Sequence, residues 1–220
     1  DYISAPLLDV VSLPLSSVSE ISSATCGGSM FLKARSDKEI SDSVELTKKY
    51  LISTGVNRTS IVALDGLLAV EGTEISMALS VIGAGICYLT TEMSFVERLN
   101  LLGRLGVDTI IIHVDSLREY IVIDCDSILS RLFRIITISY NYPTNEKKQC
   151  VSEYEATIGT PTYEIISLPW TASLIDLYKS VDSDDYIARD TLLIEKTSDN
   201  PIVTDTAARA MPLIRVKQDG

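Results

Sequence analysis

The alternation of short β-branched runs with longer amphipathic stretches is the feature that most constrains how this chain can fold. Five apolar runs are separated by segments of helical spacing, and they cover residues 60–65, 86–90, 109–114, 134–139 and 162–168. Parallel strands need crossover connections of this kind, which are nearly always right-handed. The order predicts an α/β fold: a doubly wound, mainly parallel sheet flanked by helices, with any ligand at the carboxyl ends of the strands.

Helix signals fill the intervals between these runs. Apolar residues recur every three or four positions from Asp37 to Gly55, which predicts a helix that ends at a glycine. Thr73 is the predicted N-cap of a helix over residues 72–85. Ser94 and Glu97 form a capping-box pattern that predicts a helix up to residue 106. Two more helices are predicted, one from about residue 115 and one over residues 144–159.

The pattern changes near residue 184, where three strand-like runs are separated by turn residues. We therefore predict two parts: a doubly wound α/β domain over residues 1–183, and a small antiparallel β subdomain over residues 184–220.

Composition excludes several classes of function. The chain has 220 residues and a net charge of −11, and it contains no basic block that could follow a phosphate backbone. Its four cysteines form no CxxC pair and it has a single histidine, so neither a metal site nor a disulfide framework is expected. No apolar run reaches the roughly 20 residues of a membrane helix. We expect a cytoplasmic protein that binds neither nucleic acid nor membranes.

The tail "IVTDTAARAMPLIRVKQDG" resembles the adenylate-forming (AMP-binding) superfamily, in particular its phenylacetate-CoA ligase-like branch. The residues that match this branch are Val203, Thr204, Ala210, Pro212, Leu213, Ile214 and Arg215. The likeness is collinear over nearly the whole chain, and it implies that residues 1–183 correspond to the large domain of such enzymes. Family members are longer, so the resemblance also implies that the N-terminal segment and the mobile C-terminal lid domain are absent.

The resemblance implies an enzyme that joins a carboxylic acid to ATP with Mg²⁺ and passes the acyl group to coenzyme A. Its phosphate loop, close to Ser-Ser-Gly-Thr-Thr-Gly-Lys-Pro, aligns with "SSATCGGS" at residues 22–29. Ser22, Ser23, Thr25 and Gly27 are therefore the candidate phosphate-binding residues. Ala24 replaces a glycine and the lysine is missing, so a Ser-rich structural loop is the alternative interpretation.

Three aromatic residues are candidates for the nucleotide pocket. Trp170 stands where the family has the glutamate that holds Mg²⁺, and an indole offers no oxygen ligand. Tyr163 begins the same aligned motif, and Tyr140 lies in the loop that the family packs against adenine. The alternatives are a packing role for Trp170 and a strand-ending role for Tyr140. Asp219 is the ribose-binding candidate, although the family's Gly-Asp order is inverted here.

Four further ionisable residues lie near predicted strand ends. For Glu71, Glu74 and Glu92 we expect solvated surface carboxylates rather than catalytic acids. His113 ends a strand at the expected ligand edge, and a lone histidine is more often structural than a general base. No catalytic residue and no metal ligand can be assigned from these positions.

Two hypotheses follow from the altered motifs. The first is a degenerate relative that keeps the fold as a non-catalytic module for binding a small molecule or for assembly with a protein partner, including a second copy of itself. The alternative is an AMP-forming acid-CoA ligase that uses ATP and Mg²⁺ and is completed by a separate lid subunit. The sequence names no acyl substrate.

Overall fold

The computed structural model describes residues 20–26, 29–67, 69–124, 127–140, 145–168, 171, 173–183, 185–195, 202–206 and 213–217. The helices are α1 (Asp37–Ser53), α2 (Ala69–Ile82), α3 (Phe95–Leu105), α4 (Val114–Ile123) and α5 (Asn145–Ile158). The first seven strands are β1 (Glu20–Cys26), β2 (Ser29–Arg35), β3 (Ile61–Asp65), β4 (Gly85–Leu89), β5 (Thr109–His113), β6 (Arg134–Ser139) and β7 (Thr162–Ile166). The remaining strands are β8 (Leu177–Lys179), β9 (Tyr186–Ala188), β10 (Leu192–Glu195), β11 (Ile202–Asp205) and β12 (Leu213–Lys217).

A seven-stranded sheet with the order β4-β3-β5-β6-β7-β8-β9 forms the centre of the described chain. Strands β3 to β7 pair in parallel, and β8 and β9 extend the sheet by antiparallel pairing. The predicted doubly wound α/β fold is therefore confirmed. Its central strands read as continuous apolar runs because helices bury both faces of the sheet.

Alternating residues of each strand divide the core into two halves. Val62 and Leu64 pack with α1 and α2 on one face of the sheet. Ala63 and Ile110 pack with α3, α4 and the end of α5 on the other face. Helices α2 and α4 therefore lie on opposite faces of one sheet.

Local signals predicted most helix limits well. The capping box of α3 is present: the Ser94 hydroxyl accepts from the Glu97 amide, and the Glu97 carboxylate accepts from the Ser94 amide. The predicted start of α2 is wrong, because the helix begins at Ala69 and Thr73 lies within it. The turn before it is made by Gly66, whose φ of +62° suits a residue without a Cβ.

The two strands that precede α1 form an antiparallel hairpin. Strand β1 pairs with β2 along its whole length, from Glu20 opposite Arg35 to Cys26 opposite Ser29. This hairpin leads directly into α1, whose N-terminus is closed by a capping box between Ser36 and Glu39.

The C-terminal part contains the small antiparallel unit. Strands β10, β11 and β12 form a three-stranded sheet of their own, whereas β9 pairs with β8 in the large sheet. Arg189 joins the two sheets, since its guanidinium lies 3.0 Å from Asp176 and 2.7 Å from Asp205. A division of the chain at residue 184 stays a prediction.

Across the described part of the chain, none of the helices combines the length and the apolar character that crossing a bilayer requires.

Candidate functional site

A topological switch point lies between the carboxyl ends of β3 and β5. These strands are neighbours in the sheet, but the chain leaves β3 through α2 on one face and leaves β5 through α4 on the other. Connections that diverge in this way open a crevice at the edge of the sheet, and open α/β proteins bind ligands in such crevices. The residues around this crevice are therefore the first candidates for a functional site.

Three polar side chains from separate elements meet at this crevice. Glu71 lies in the first turn of α2, His113 ends β5, and Tyr140 directly follows β6. The Tyr140 hydroxyl lies 2.8 Å from Glu71 Oε2 and 3.1 Å from His113 Nε2, and the histidine and glutamate are 3.6 Å apart. We call these residues the crevice cluster.

The chemistry of the groups fixes the direction of these hydrogen bonds. An ionised carboxylate only accepts, so the Tyr140 hydroxyl donates to Glu71 and accepts from the Nε2–H of His113. Burial, with the negative charge of Glu71, raises the pKa of Tyr140. The His113 and Tyr140 rings are 5.0 Å apart, and their planes are inclined by 42°. The side chains of the crevice cluster are thus held together by the protein's own hydrogen bonds.

A second carboxylate lies at the buried side of the crevice. Asp65, the last residue of β3, is fully buried and lies 2.9 Å from a guanidinium nitrogen of Arg98 in α3. The Tyr120 hydroxyl donates to its other oxygen at 2.6 Å. Burial raises the pKa of Asp65, and the hydrogen bond from Tyr120 and the charge of Arg98 offset part of that rise. We call Asp65, Arg98 and Tyr120 the buried ion cluster.

A third carboxylate, Glu164 of β7, is satisfied by neighbouring hydroxyl groups. Ser139 donates to it at 2.6 Å, and Tyr186 donates to its other oxygen. Glu164 is buried, and its backbone carbonyl accepts a hydrogen bond from Tyr50 at 3.3 Å.

An open groove of about 840 Å³ runs along the outer side of α2. Helix α2 forms one wall and the edge strand β4 forms the other, and the loops that follow β3 and β4 close one end. The Tyr88 hydroxyl of β4 donates to Ser76 of α2 at 2.8 Å and joins the two walls. Of the described residues that line the groove, none is charged, and six are large and apolar among glycines, serines and threonines: Leu64, Leu67, Met77, Val81, Tyr88 and Leu89.

The site residues predicted from sequence are distributed over several places. Ser22, Ser23 and Thr25 lie in β1, opposite β2 of the hairpin. Tyr140 lies in the crevice, whereas Tyr163 lies in the first half of β7 and packs against the core on the α1 and α2 face. Gly27, Trp170 and Asp219 lie outside the described residues.

The expectation of solvated carboxylates is wrong for two of the three glutamates. Glu71 is 6% exposed and Glu74 is 2% exposed, where it pairs with Arg35 at 2.5 Å. Glu92 is exposed, as expected. The missed signal is positional: Glu71 follows the loop after β3, and His113 and Tyr140 stand at the ends of the next two strands in the sheet. Only the order of the strands shows that these positions converge.

The residues at this edge do not fit a magnesium ion. Mg²⁺ requires near-octahedral oxygen ligation, and the carboxylates of Asp65, Glu71 and Glu164 each accept hydrogen bonds from a tyrosine. Among the residues that the structure describes, no three His, Cys, Asp or Glu side chains are grouped to hold a metal. We therefore place no metal ion at this site.

Comparison with known proteins identifies the fold. No protein-family model and no curated protein matches the sequence. Among solved structures, 2-hydroxyisobutyryl-CoA ligase in complex with 2-HIB-AMP and CoA superposes with a TM-score of 0.77 at 11% identity, covering 96% of this chain and 53% of that one. The anthranilate CoA ligase AuaEII in complex with anthranoyl-AMP gives a TM-score of 0.66 at 11% identity, covering 87% and 40%. The amide bond synthetase McbA from Marinactinospora thermotolerans gives 0.62 at 12% identity, covering 87% and 41%.

These similarities confirm the expected doubly wound α/β fold. The chain spans about half the length of the first of these ligases. At such low identity, the comparison establishes the architecture and leaves the chemistry to the residues of this chain.

Proposed function

We propose that this chain, which has the fold of the adenylate-forming CoA ligases, binds a small molecule without converting it to an acyl adenylate. The crevice cluster is the observation that carries this proposal. By resemblance, the residues after β6 lie against adenine and have to be small. Here Tyr140 stands at that place and is held by Glu71 and His113.

The charge at the crevice also disfavours the substrates of adenylation. ATP and carboxylic acids are anions, and the crevice presents the Glu71 carboxylate, while the Arg98 guanidinium is already paired with Asp65. Like charges at short range repel each other strongly where water is excluded. An anion entering the crevice would have to overcome that repulsion without a magnesium ion bound by these residues.

Calorimetry with ATP and Mg²⁺ tests the proposal directly, combined with an assay of pyrophosphate release over a panel of carboxylic acids. We expect neither ATP binding nor pyrophosphate. Release of pyrophosphate with any acid would contradict the proposal.

A variant with a smaller side chain at the crevice sharpens this test. Tyr140→Ala removes the ring from the place of adenine and frees the Glu71 carboxylate and the His113 imidazole. If Tyr140 is what blocks the nucleotide, the variant gains measurable ATP binding while the wild type shows none. Tyr154→Ala, at a partly buried tyrosine of α5 on the opposite face of the sheet, serves as the control and should gain none.

A second candidate function is an AMP-forming acid-CoA ligase that a separate lid subunit completes. The observation in its favour is the extent of the fold similarity, which covers 96% of this chain. The same pyrophosphate assay decides between the two candidates.

A further inference from the structure

We infer that the groove between α2 and β4 is a binding site for an uncharged, mainly apolar small molecule with a few hydrogen-bonding groups. This inference rests on the proposed function in one respect, namely that the ligand binds without ATP. It adds the place and the chemical class of the ligand.

The lining of the groove specifies the charge of its ligand. Charged residues make up 22% of the chain and its net charge is −11, yet among the residues that the structure describes none of them lines the groove. A wall without charged groups does not compensate the desolvation of a charged ligand, so the groove favours neutral molecules over ionic ones. The hydroxyls of the serines and threonines supply hydrogen bonds, and the groove volume of about 840 Å³ lies in the range of small-molecule sites.

Three large apolar side chains remain exposed along this groove. Met77 is 45% exposed, Tyr88 61% and Val81 65%, and all three line the same space. Scattered exposed apolar residues are ordinary, but apolar residues that converge on one concave surface mark a binding site.

Gly72 widens the groove. It lies within α2 and lines the groove, and among the residues that the structure describes a Cβ added there would meet only the Leu67 Cβ at 3.9 Å, an ordinary contact. Because glycine has no side chain, this part of the wall stays open to a ligand, and a larger side chain at this position would occupy the groove.

Two fluorescent probes with the same aromatic frame test the inference. N-phenyl-1-naphthylamine is neutral at pH 8, and 8-anilinonaphthalene-1-sulfonate carries one negative charge. We expect saturable binding of the neutral probe, at least tenfold tighter than that of the sulfonate, with no ATP present. Failure of the neutral probe to saturate would overturn the inference, as would equal or tighter binding of the sulfonate.

Matched variants locate the probe. Gly72→Leu places a side chain in the groove and should weaken binding of the neutral probe at least tenfold. Gly103→Leu changes a helical glycine of α3 outside the groove and should leave probe binding unchanged. Unchanged probe affinity in Gly72→Leu would overturn the inference.

Ser80→Lys keeps the test valid if Gly72→Leu does not fold. Ser80 is exposed on the groove wall, so a lysine there adds a positive charge without burying it. The ratio of the affinity for the sulfonate probe to that for the neutral probe should rise at least tenfold. An unchanged ratio would overturn the inference. Pyrophosphate release, by contrast, would contradict only the proposed function, because probe binding is measured without ATP.

Discussion

Helix α2 has the crevice on one side and the groove on the other. Comparing them distinguishes side chains that stabilise the fold from side chains that can contact a ligand. Toward the sheet, the helix directs Glu71 into a crevice where hydrogen bonds from the protein already engage the carboxylates. Toward solvent, it forms a groove whose described lining has no charged residue and contains Gly72, where an added Cβ would make an ordinary contact with Leu67. Position at the carboxyl edge of the sheet is thus insufficient to identify the ligand site. The crevice and the groove are distinguished by whether hydrogen bonds within the protein already satisfy their polar groups.

Removal of Arg98 is the change with the largest expected effect, and it tests whether the buried ion cluster is structural. Arg98→Met leaves Asp65 buried without its guanidinium, and breaking a buried pair costs about 3–5 kcal/mol. The loss in the free energy of unfolding is measured by urea denaturation at pH 7, with Arg104→Met, an exposed arginine of the same helix, as the control. The loss should shrink as the pH is lowered below 7, because burial raises the pKa of Asp65 and the unpaired carboxylate of the variant can then take up a proton. A loss below about 1 kcal/mol at pH 7 would show that the crevice does not depend on this pair.

The sequence predicts the sheet and its helices better than it predicts the crevice and the groove. Strand β6 matches its predicted limits, Arg134 to Ser139, because a run of β-branched residues is bounded by clear breaks. The start of α2 was missed because the residue before Ala69 in the sequence is a leucine, which is not a capping residue type, so Thr73 was the nearest local signal. The strands β8 and β9 have three residues each, too few to show a periodicity.

The burial of single polar residues could not be predicted from the sequence, for a different reason. Glu71 resembles any surface glutamate of a helix until the strand order places His113 and Tyr140 opposite it. The groove depends likewise on β4 being the edge strand, a property of topology and not of its residues.

Denaturation at alkaline pH allows the buried ion cluster and the crevice cluster to be compared through Tyr120 and Tyr140. The expected effect on the free energy of unfolding is smaller than that of removing Arg98. Burial, with the hydrogen bond to Asp65, raises the pKa of Tyr120 above its value in the unfolded chain, which is about 10. The stabilisation is therefore complete below pH 10 and is lost as the pH rises further, by about 1.4 kcal/mol per pH unit for a fully buried hydroxyl. Urea denaturation at pH 9, 10 and 11 should show a shallower decline in Tyr120→Phe than in the wild type. Tyr140→Phe should make the decline shallower in the same way, because burial beside Glu71 also raises the pKa of Tyr140. A decline as steep as that of the wild type in either variant would show that the tyrosine of that cluster ionises as easily in the folded as in the unfolded chain.

The smallest expected effect concerns Gly72 and tests the groove side of the comparison. If the fold has no need of this glycine, Gly72→Ala raises the free energy of unfolding by about 0.5–1 kcal/mol, since alanine restricts the unfolded chain and favours the helix. Gly103→Ala, whose added Cβ would meet only Ile128 at 3.8 Å, should give a gain of the same size. Urea denaturation of both variants against the wild type measures the gains. Destabilisation by Gly72→Ala alone would mean that packing requires the glycine, and its presence in the groove wall would then need no ligand to explain it.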